Sequence, residues 1–209
     1  MEKSELVLVN LACGGDREAY WRLVQPHLRV VLSVTRSILM NLADAEEVAQ
    51  QSVLKAFSNI QEFRSETKFS TWLMQITLNE VRSKLRKDRR YMSRSLNERQ
   101  TANGDEYVPK DFRDWREIPS AALDGTGLRD ALWQALVSLP INYREVFTLR
   151  DIAHLNIDET AQVLGLTVAN AKTRLLRGRL HLRDALAPGL GGTWSNNNTI
   201  RGLVLDKTG

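Results

Sequence analysis

Apolar residues recur at helical spacing through two blocks of this 209-residue chain, and the stretch from Tyr91 to Gly127 between them breaks the pattern. Gly104, Pro109, Pro119, Gly125 and Gly127 are scattered there among charges of both signs, the composition of a linker. The first 187 residues hold no convincing alternation of strand type. The pattern predicts an all-α chain of two small helical domains, residues 1–90 and 128–187, joined by a flexible linker over 91–127. After Pro188 the sequence turns rich in Gly and Asn, with Trp194 and an apolar patch at Ile200, Leu203, Val204 and Leu205, and residues 188–209 are expected to form a flexible extension.

Composition removes several classes of function. With 43% hydrophobic and 26% charged residues the chain has enough apolar material for packed cores in water. Cys13 is the only cysteine, so no internal disulfide and no Cys-rich zinc site can form, and a lone thiol suits the reducing cytoplasm. No apolar run approaches the ~20 residues of a membrane span, and the opening Met1, Glu2 and Lys3 lead into no signal peptide, so the chain is not itself expected to be a membrane protein. His27, His154 and His181 are dispersed without metal-ligand spacing, and no phosphate-cradling glycine loop is present. Neither catalytic residues nor a metal or cofactor is expected. Lys and Arg number 29 against 25 acids, a small excess that is concentrated in two places.

In the first block, Asp16 is placed to cap a helix that Pro26 restarts, and Asp44 with Glu47 to begin the next, ahead of Val48, Val53, Leu54, Phe57 and Ile60 on one apolar stripe. Glu47, Gln50 and Gln51 share a side at i, i+3 and i+4 beside that stripe, as a helix-docking surface or an ordinary solvated face. Ser70 is placed to cap a third helix, on which Trp72, Gln75, Asn79, Arg82 and Arg86 fall near one stripe. An aromatic ring, two amides and two guanidinium groups so aligned suit single-stranded nucleic acid. A tryptophan in the first turn of a helix, as Trp72 is, is more often core than platform. The cations Arg82, Lys84, Arg86, Lys87, Arg89, Arg90 and Arg94 extend the same end.

Residues 156–182 read as helix, tight turn, helix: Ala161 allows close approach, Gly165 supplies the turn and Thr167 the cap. On the second helix Asn170, Thr173, Arg174 and Arg177 share one face, while Val168, Ala171, Leu175 and Leu182 share another. Lys172, Arg174, Arg177, Arg179 and Arg183 occur with no acid until Asp184. Asn and Arg suit bidentate contacts to base edges, and Thr, Lys and Arg grip phosphates.

The stretch LVSLPINYREVFTLRDIAHLNIDETAQVLGLTVANAKTRLLRGRLHLRDAL resembles region 4 of the sigma-70 family, the domain that reads the minus-35 promoter element. DAEEVAQQSVLKAF resembles region 2.2, and FRSETKFSTWLMQITLNEVRSKLRK resembles regions 2.3 and 2.4. The two sets, in that order and without a long region 3, match the small extracytoplasmic-function type. The resemblance implies a promoter-directing subunit, not an enzyme, whose partners are core RNA polymerase through the beta prime clamp helices and the beta flap, promoter DNA, and an anti-sigma factor. It assigns Asp44, Glu47, Gln50 and Gln51 to polymerase binding and Lys68, Phe69, Ser70, Trp72, Gln75, Asn79, Arg82 and Arg86 to the minus-10 element. It assigns Arg150, Thr167, Asn170, Lys172, Thr173, Arg174 and Arg177 to the minus-35 element. The chain departs from the family at Thr160, where Ile is usual, and at Ala169, Asn170 and Ala171, where Gly-Thr-Val is common. The rival class, a one-component helix-turn-helix regulator binding duplex DNA alone, needs a ligand pocket or dimer seam that the first block does not offer. Deleting residues 189–209 is expected to leave promoter activity in vitro unchanged; a loss or gain would make the extension a regulatory element.

Overall fold

The computed structural model describes residues 3–64, 66–95 and 125–187, with side chains described over 5–64, 66–89 and 131–187. Most of the expected linker and the whole C-terminal extension lie outside the described residues. Every regular element among the described residues is helical.

The first lobe comprises α1 (Lys3–Cys13), α2 (Arg17–Val24), α3 (Leu28–Leu39), α4 (Leu42–Ser58) and α5 (Phe69–Ser95). Asp16 caps α2 as expected, its carboxylate accepting the N–H groups of Glu18 and Ala19. Pro26 sits in a 3₁₀ turn, Gln25–His27, that re-aims the chain into α3. α3, α4 and α5 pack on one another around Val31, Val34, Ile38, Val48, Leu73, Leu78 and Val81, all 2% exposed or less. α1 is a helix that no strong periodicity marked; Val9 and Ala12 are buried while Leu6, Val7 and Leu11 stay outside. Two helix starts are corrected. α4 begins before Asp44: Asn41 is the cap, accepting the N–H of Asp44 itself. α5 begins at Phe69, with the Lys68 carbonyl accepting the first N–H, from Trp72, so Ser70 lies inside the first turn.

The second lobe comprises α6 (Gly125–Ser138), α7 (Ile141–Phe147), α8 (Ile157–Leu164) and α9 (Val168–Leu186), the first three packed on α9. Pro140 precedes α7, and a wide π turn, Thr148–Ile152, closes that helix. Asn156 and Glu159 form a reciprocal capping box on α8, a stronger start than the sequence pattern indicates. Gly165 ends α8 at φ 67°, the left-handed conformation that favours glycine there. Ala161 and Ala171 are both almost fully buried where α8 meets α9. Gly178 of α9 faces Tyr143 of α7 closely enough that an added Cβ would lie 3.5 Å from the Tyr143 Cβ.

The lobes are packed together. α3 lies against α7 and the π turn, α5 lies against α8, and one apolar cluster runs from the first-lobe core into Val146, Leu149, Leu155, Val163, Leu164 and Leu175. Periodicity shows which residues go inside but not which lobe covers them, so this joint is not visible in the sequence. Polar contacts rim it. Arg82 of α5 makes a bidentate ion pair with Glu145 of α7, at 2.8 and 2.7 Å. Lys68 pairs with Glu159 at 2.8 Å, the Arg144 guanidinium donates to the Ile38 carbonyl at 3.3 Å, and Arg36 lies 5.4 Å from the ring centre of Trp133.

Burial pushes the Glu159 carboxyl up, but hydrogen bonds from Lys68 and the Asn156 N–H, with the nearby Lys68 charge, outweigh it and hold the group below its ordinary range. A carboxyl lowered in the folded state contributes stability above its unfolded pKa and loses it as pH falls through the folded one. The Lys68 contact is therefore whole at neutral pH and fails only in acid. In a carboxyl-resolved NMR titration Glu159 is expected to titrate below the ordinary glutamate range, and Lys68→Ala is expected to raise its midpoint; an unmoved midpoint contradicts the pairing.

Candidate nucleic-acid interface

The open end of the first lobe is built on an aromatic cluster. Phe69 is fully buried, with Phe63 and Trp72 at ring separations of 5.8 Å each and His27 also at 5.8 Å, while Phe63 and Trp72 lie 5.3 Å apart. Phe69 thus anchors the start of α5 instead of facing a base, which corrects its expected role as a contact. Its burial holds Trp72 at the surface edge of the cluster, half-buried, with part of the ring packed inward. Burial among these rings pushes the His27 imidazole below its ordinary range, against an opposing pull from Glu5.

Trp72, Gln75 and Asn79 line a cleft of about 230 Å³, closed on its other sides by Lys55, Asn59, Glu62 and Ile76. Gln75 and Asn79 are exposed, and Lys55 at the rim is paired with Glu80. The basic members of the stripe do not all share this freedom: Lys68 and Arg82 are held by the second-lobe carboxylates, while Arg86, Lys87 and Arg89 remain exposed. Lys84 pairs with Asp44 at 2.8 Å, joining α5 to α4. Ser70 is half-buried in the first turn. The side chains of Arg90 and Arg94 lie outside the described residues.

On α4 the polar side expected from the spacing is open to solvent. Glu47, Gln50 and Gln51 are exposed, with Gln51 donating to the Glu47 carboxylate at 2.9 Å, and Asp44 is half-buried beside Lys84. Leu54, expected on the inward stripe, is instead 66% exposed, one turn beyond Gln50 and Gln51 on the same side. The i, i+3, i+4 and i+7 spacing from Glu47 carried that signal, which its apolar character hid.

On α9 the two faces fall as expected. Ala171, Leu175, Gly178 and Leu182 are buried, and Asn170, Lys172 and Thr173 are exposed, with Arg174 and Arg177 half-buried. The Thr167 hydroxyl accepts the N–H of Asn170 at 3.2 Å, capping the helix and fixing its first turn. Asn170 accepts from Nε of Arg174 at 3.1 Å, so the pair presents one amide and one guanidinium as a unit. Thr173 donates to the Ala169 carbonyl at 3.0 Å, and Arg150 stands half-buried on the π turn. Arg179 makes a bidentate pair with Asp151, at 3.1 and 2.6 Å, and Arg183 pairs with Asp184. Arg179 braces α9 to the π turn and Arg183 is engaged within α9 itself, which leaves Lys172, Arg174 and Arg177 on the open basic face.

Comparison with known proteins agrees with this division. The family model for sigma-70 region 2 matches residues 23–91, and that for sigma-70 region 4 matches residues 129–182. The ECF RNA polymerase sigma factor SigW of Bacillus subtilis is 29% identical over 174 residues, covering 82% of this chain and 91% of its own length. The ECF RNA polymerase sigma-E factor of Escherichia coli is 25% identical over 190 residues, 88% of this chain and 95% of its own. Among solved structures, CnrH in complex with the cytosolic domain of CnrY shares the fold at TM-score 0.61 and 23% identity, covering 89% of this chain and 99% of that one. The sigma factor RpoE of Bartonella quintana, in complex with the anti-sigma factor NepR, does so at TM-score 0.61 and 20% identity, covering 79% and 95%. With both of its signature regions present in order and together spanning more than half of its length, the chain belongs to the sigma-70 family of RNA polymerase sigma factors, in its extracytoplasmic-function type.

Proposed function

We propose that this sigma factor divides promoter-directed initiation between its lobes, the first docking on core RNA polymerase and capturing the minus-10 strand, the second reading the minus-35 duplex. α4 docks on the beta prime clamp helices through Asp44, Glu47, Gln50 and Gln51, with Leu54 as the apolar centre of that contact. The cleft beside Trp72 receives an extruded base, with Gln75 and Asn79 at its edge and Lys68, Ser70, Arg82 and Arg86 along the backbone path. Aromatic stacking of this kind contributes on the order of 1–3 kcal/mol per base. Asn170 and Arg174 contact base edges in the major groove, while Arg150, Thr167, Lys172, Thr173 and Arg177 hold the phosphates. The beta flap positions the second lobe, the chemistry of RNA synthesis belongs to the core enzyme, and the protein works in the cytoplasm. An anti-sigma factor is its proposed regulator, in keeping with the partners of the two solved neighbours.

The observation that carries this proposal is the two-faced α9, buried through Ala171, Leu175 and Leu182 and open through Asn170, Lys172 and Thr173, in a chain whose first lobe presents Leu54 to solvent. A one-component regulator is not favoured, because region 2 occupies the part of the chain where a sensor or dimer seam would lie.

Run-off transcription with core polymerase tests it. Leu54→Asp is expected to fold normally and to weaken polymerase binding by roughly tenfold or more. Arg174→Ala is expected to lower minus-35-dependent initiation by about 1–3 kcal/mol without altering polymerase affinity. Wild-type behaviour of Leu54→Asp would remove the docking assignment, and initiation that ignores Arg174 would remove the recognition assignment.

A further inference from the structure

The closed packing of the lobes is incompatible with simultaneous use of both promoter elements. Lys68 of the first lobe touches Glu159 of α8, and Asn170 follows Glu159 by one helix and a turn that together reach no more than about 25 Å. The minus-10 and minus-35 elements are about 25 base pairs apart, roughly 85 Å of duplex. The chain between Ser95 and Gly125 reaches about 100 Å when extended, enough to allow the lobes to part.

The joint is made on the stripe proposed to meet the minus-10 strand, and it takes the cations while leaving the base-reading groups free. Glu145 accepts two parallel hydrogen bonds from Arg82, the geometry with which arginine also grips a phosphate. Glu159 takes the Lys68 ammonium, while its other oxygen stays engaged by the Asn156 N–H, so its position does not depend on Lys68. Trp72, Gln75 and Asn79 between these two points line the open cleft. A partly buried ion pair recovers little net stability beyond its desolvation cost, which makes the exchange of one anion for another nearly balanced. The surroundings agree: Thr71 Oγ1, Thr148 Oγ1 and Arg144 Nε are buried without hydrogen-bond partners, and burial pushes the Arg144 guanidinium below its ordinary range.

We propose that Glu145 and Glu159 stand in for DNA phosphates, holding the second lobe closed on the first by occupying Arg82 and Lys68 until a promoter strand displaces them. The proposal rests on the minus-10 assignment made above. The apolar part of the joint, including Val146 and Leu149, and the two ion pairs hold it shut together, and the carboxylates add the sensitivity to nucleic acid. Opening exposes that apolar surface, so full separation needs a partner such as core polymerase to cover it.

The full-length Glu145→Gln/Glu159→Gln variant tests this, since glutamine preserves the capping box on α8 and the shape at Glu145 while removing both charges. Small-angle scattering is expected to show a larger radius of gyration than wild type, and a fluorescent oligo(dT) strand to bind roughly tenfold more tightly. Asp158→Asn removes one charge next to Glu159, and an equal gain from it would overturn the latch as a mere change of net charge. Glu159→Gln alone, at the rim, is expected to move both readings in the same direction, so loss of folding at Glu145 does not shield the proposal. An unchanged radius with Arg82→Ala still weakening strand binding sinks the latch and leaves the minus-10 assignment standing. A larger radius with strand binding indifferent to Arg82→Ala sinks that assignment instead.

Discussion

Helix α5 must satisfy three neighbours at once, and the rest of the structure follows from that constraint. Its inner side fills the first-lobe core through Leu73, Leu78 and Val81. A second side meets the other lobe, through Arg82 on Glu145 and, from the residue preceding the helix, Lys68 on Glu159. The remaining side carries Trp72, Gln75 and Asn79 into an open cleft. A helix has room for three such stripes only if each is narrow, which is why the reading stripe ends in residues shared with the joint.

The joint between the lobes is neither a domain core nor a casual contact. Its continuous apolar cluster is what a permanent interface would have, while its buried polar atoms without partners reduce the net gain from keeping it shut. Burial of apolar area contributes about 25 cal/mol per Å², and interfaces between domains of one chain are commonly poised to move unless large and apolar throughout. A closed state of this composition favours compactness in the free protein and yields to a partner offering both apolar cover and phosphate.

Much of this was legible in the sequence. The helical period and the broken stretch after Tyr91 gave the class, and Gly165, Thr167 and the Asn170 to Arg177 spacing gave the recognition helix with its correct faces. What failed did so for identifiable reasons. Asn41 precedes Asp44 and captures its N–H, so an equally good capping residue displaced the expected one. Leu54 went outside although it was expected inside, because hydrophobicity alone does not say which side of a helix meets the core. Arg179 counted toward a basic face until tertiary structure supplied Asp151, whereas Arg183 turns to its own chain neighbour Asp184. Pairing across the lobes, Arg82 with Glu145 and Lys68 with Glu159, links positions too far apart in sequence for any local pattern to reveal.

The account turns on a chain that is closed when free and parted on its promoter. Spin labels at Lys87→Cys on α5 and Gln162→Cys on α8, in a Cys13→Ser background, would report this by pulsed electron resonance distances. The account predicts a single short distance in the free protein and a lengthening by tens of ångströms in the polymerase–promoter complex. A short distance that persists in a complex competent for transcription would contradict it.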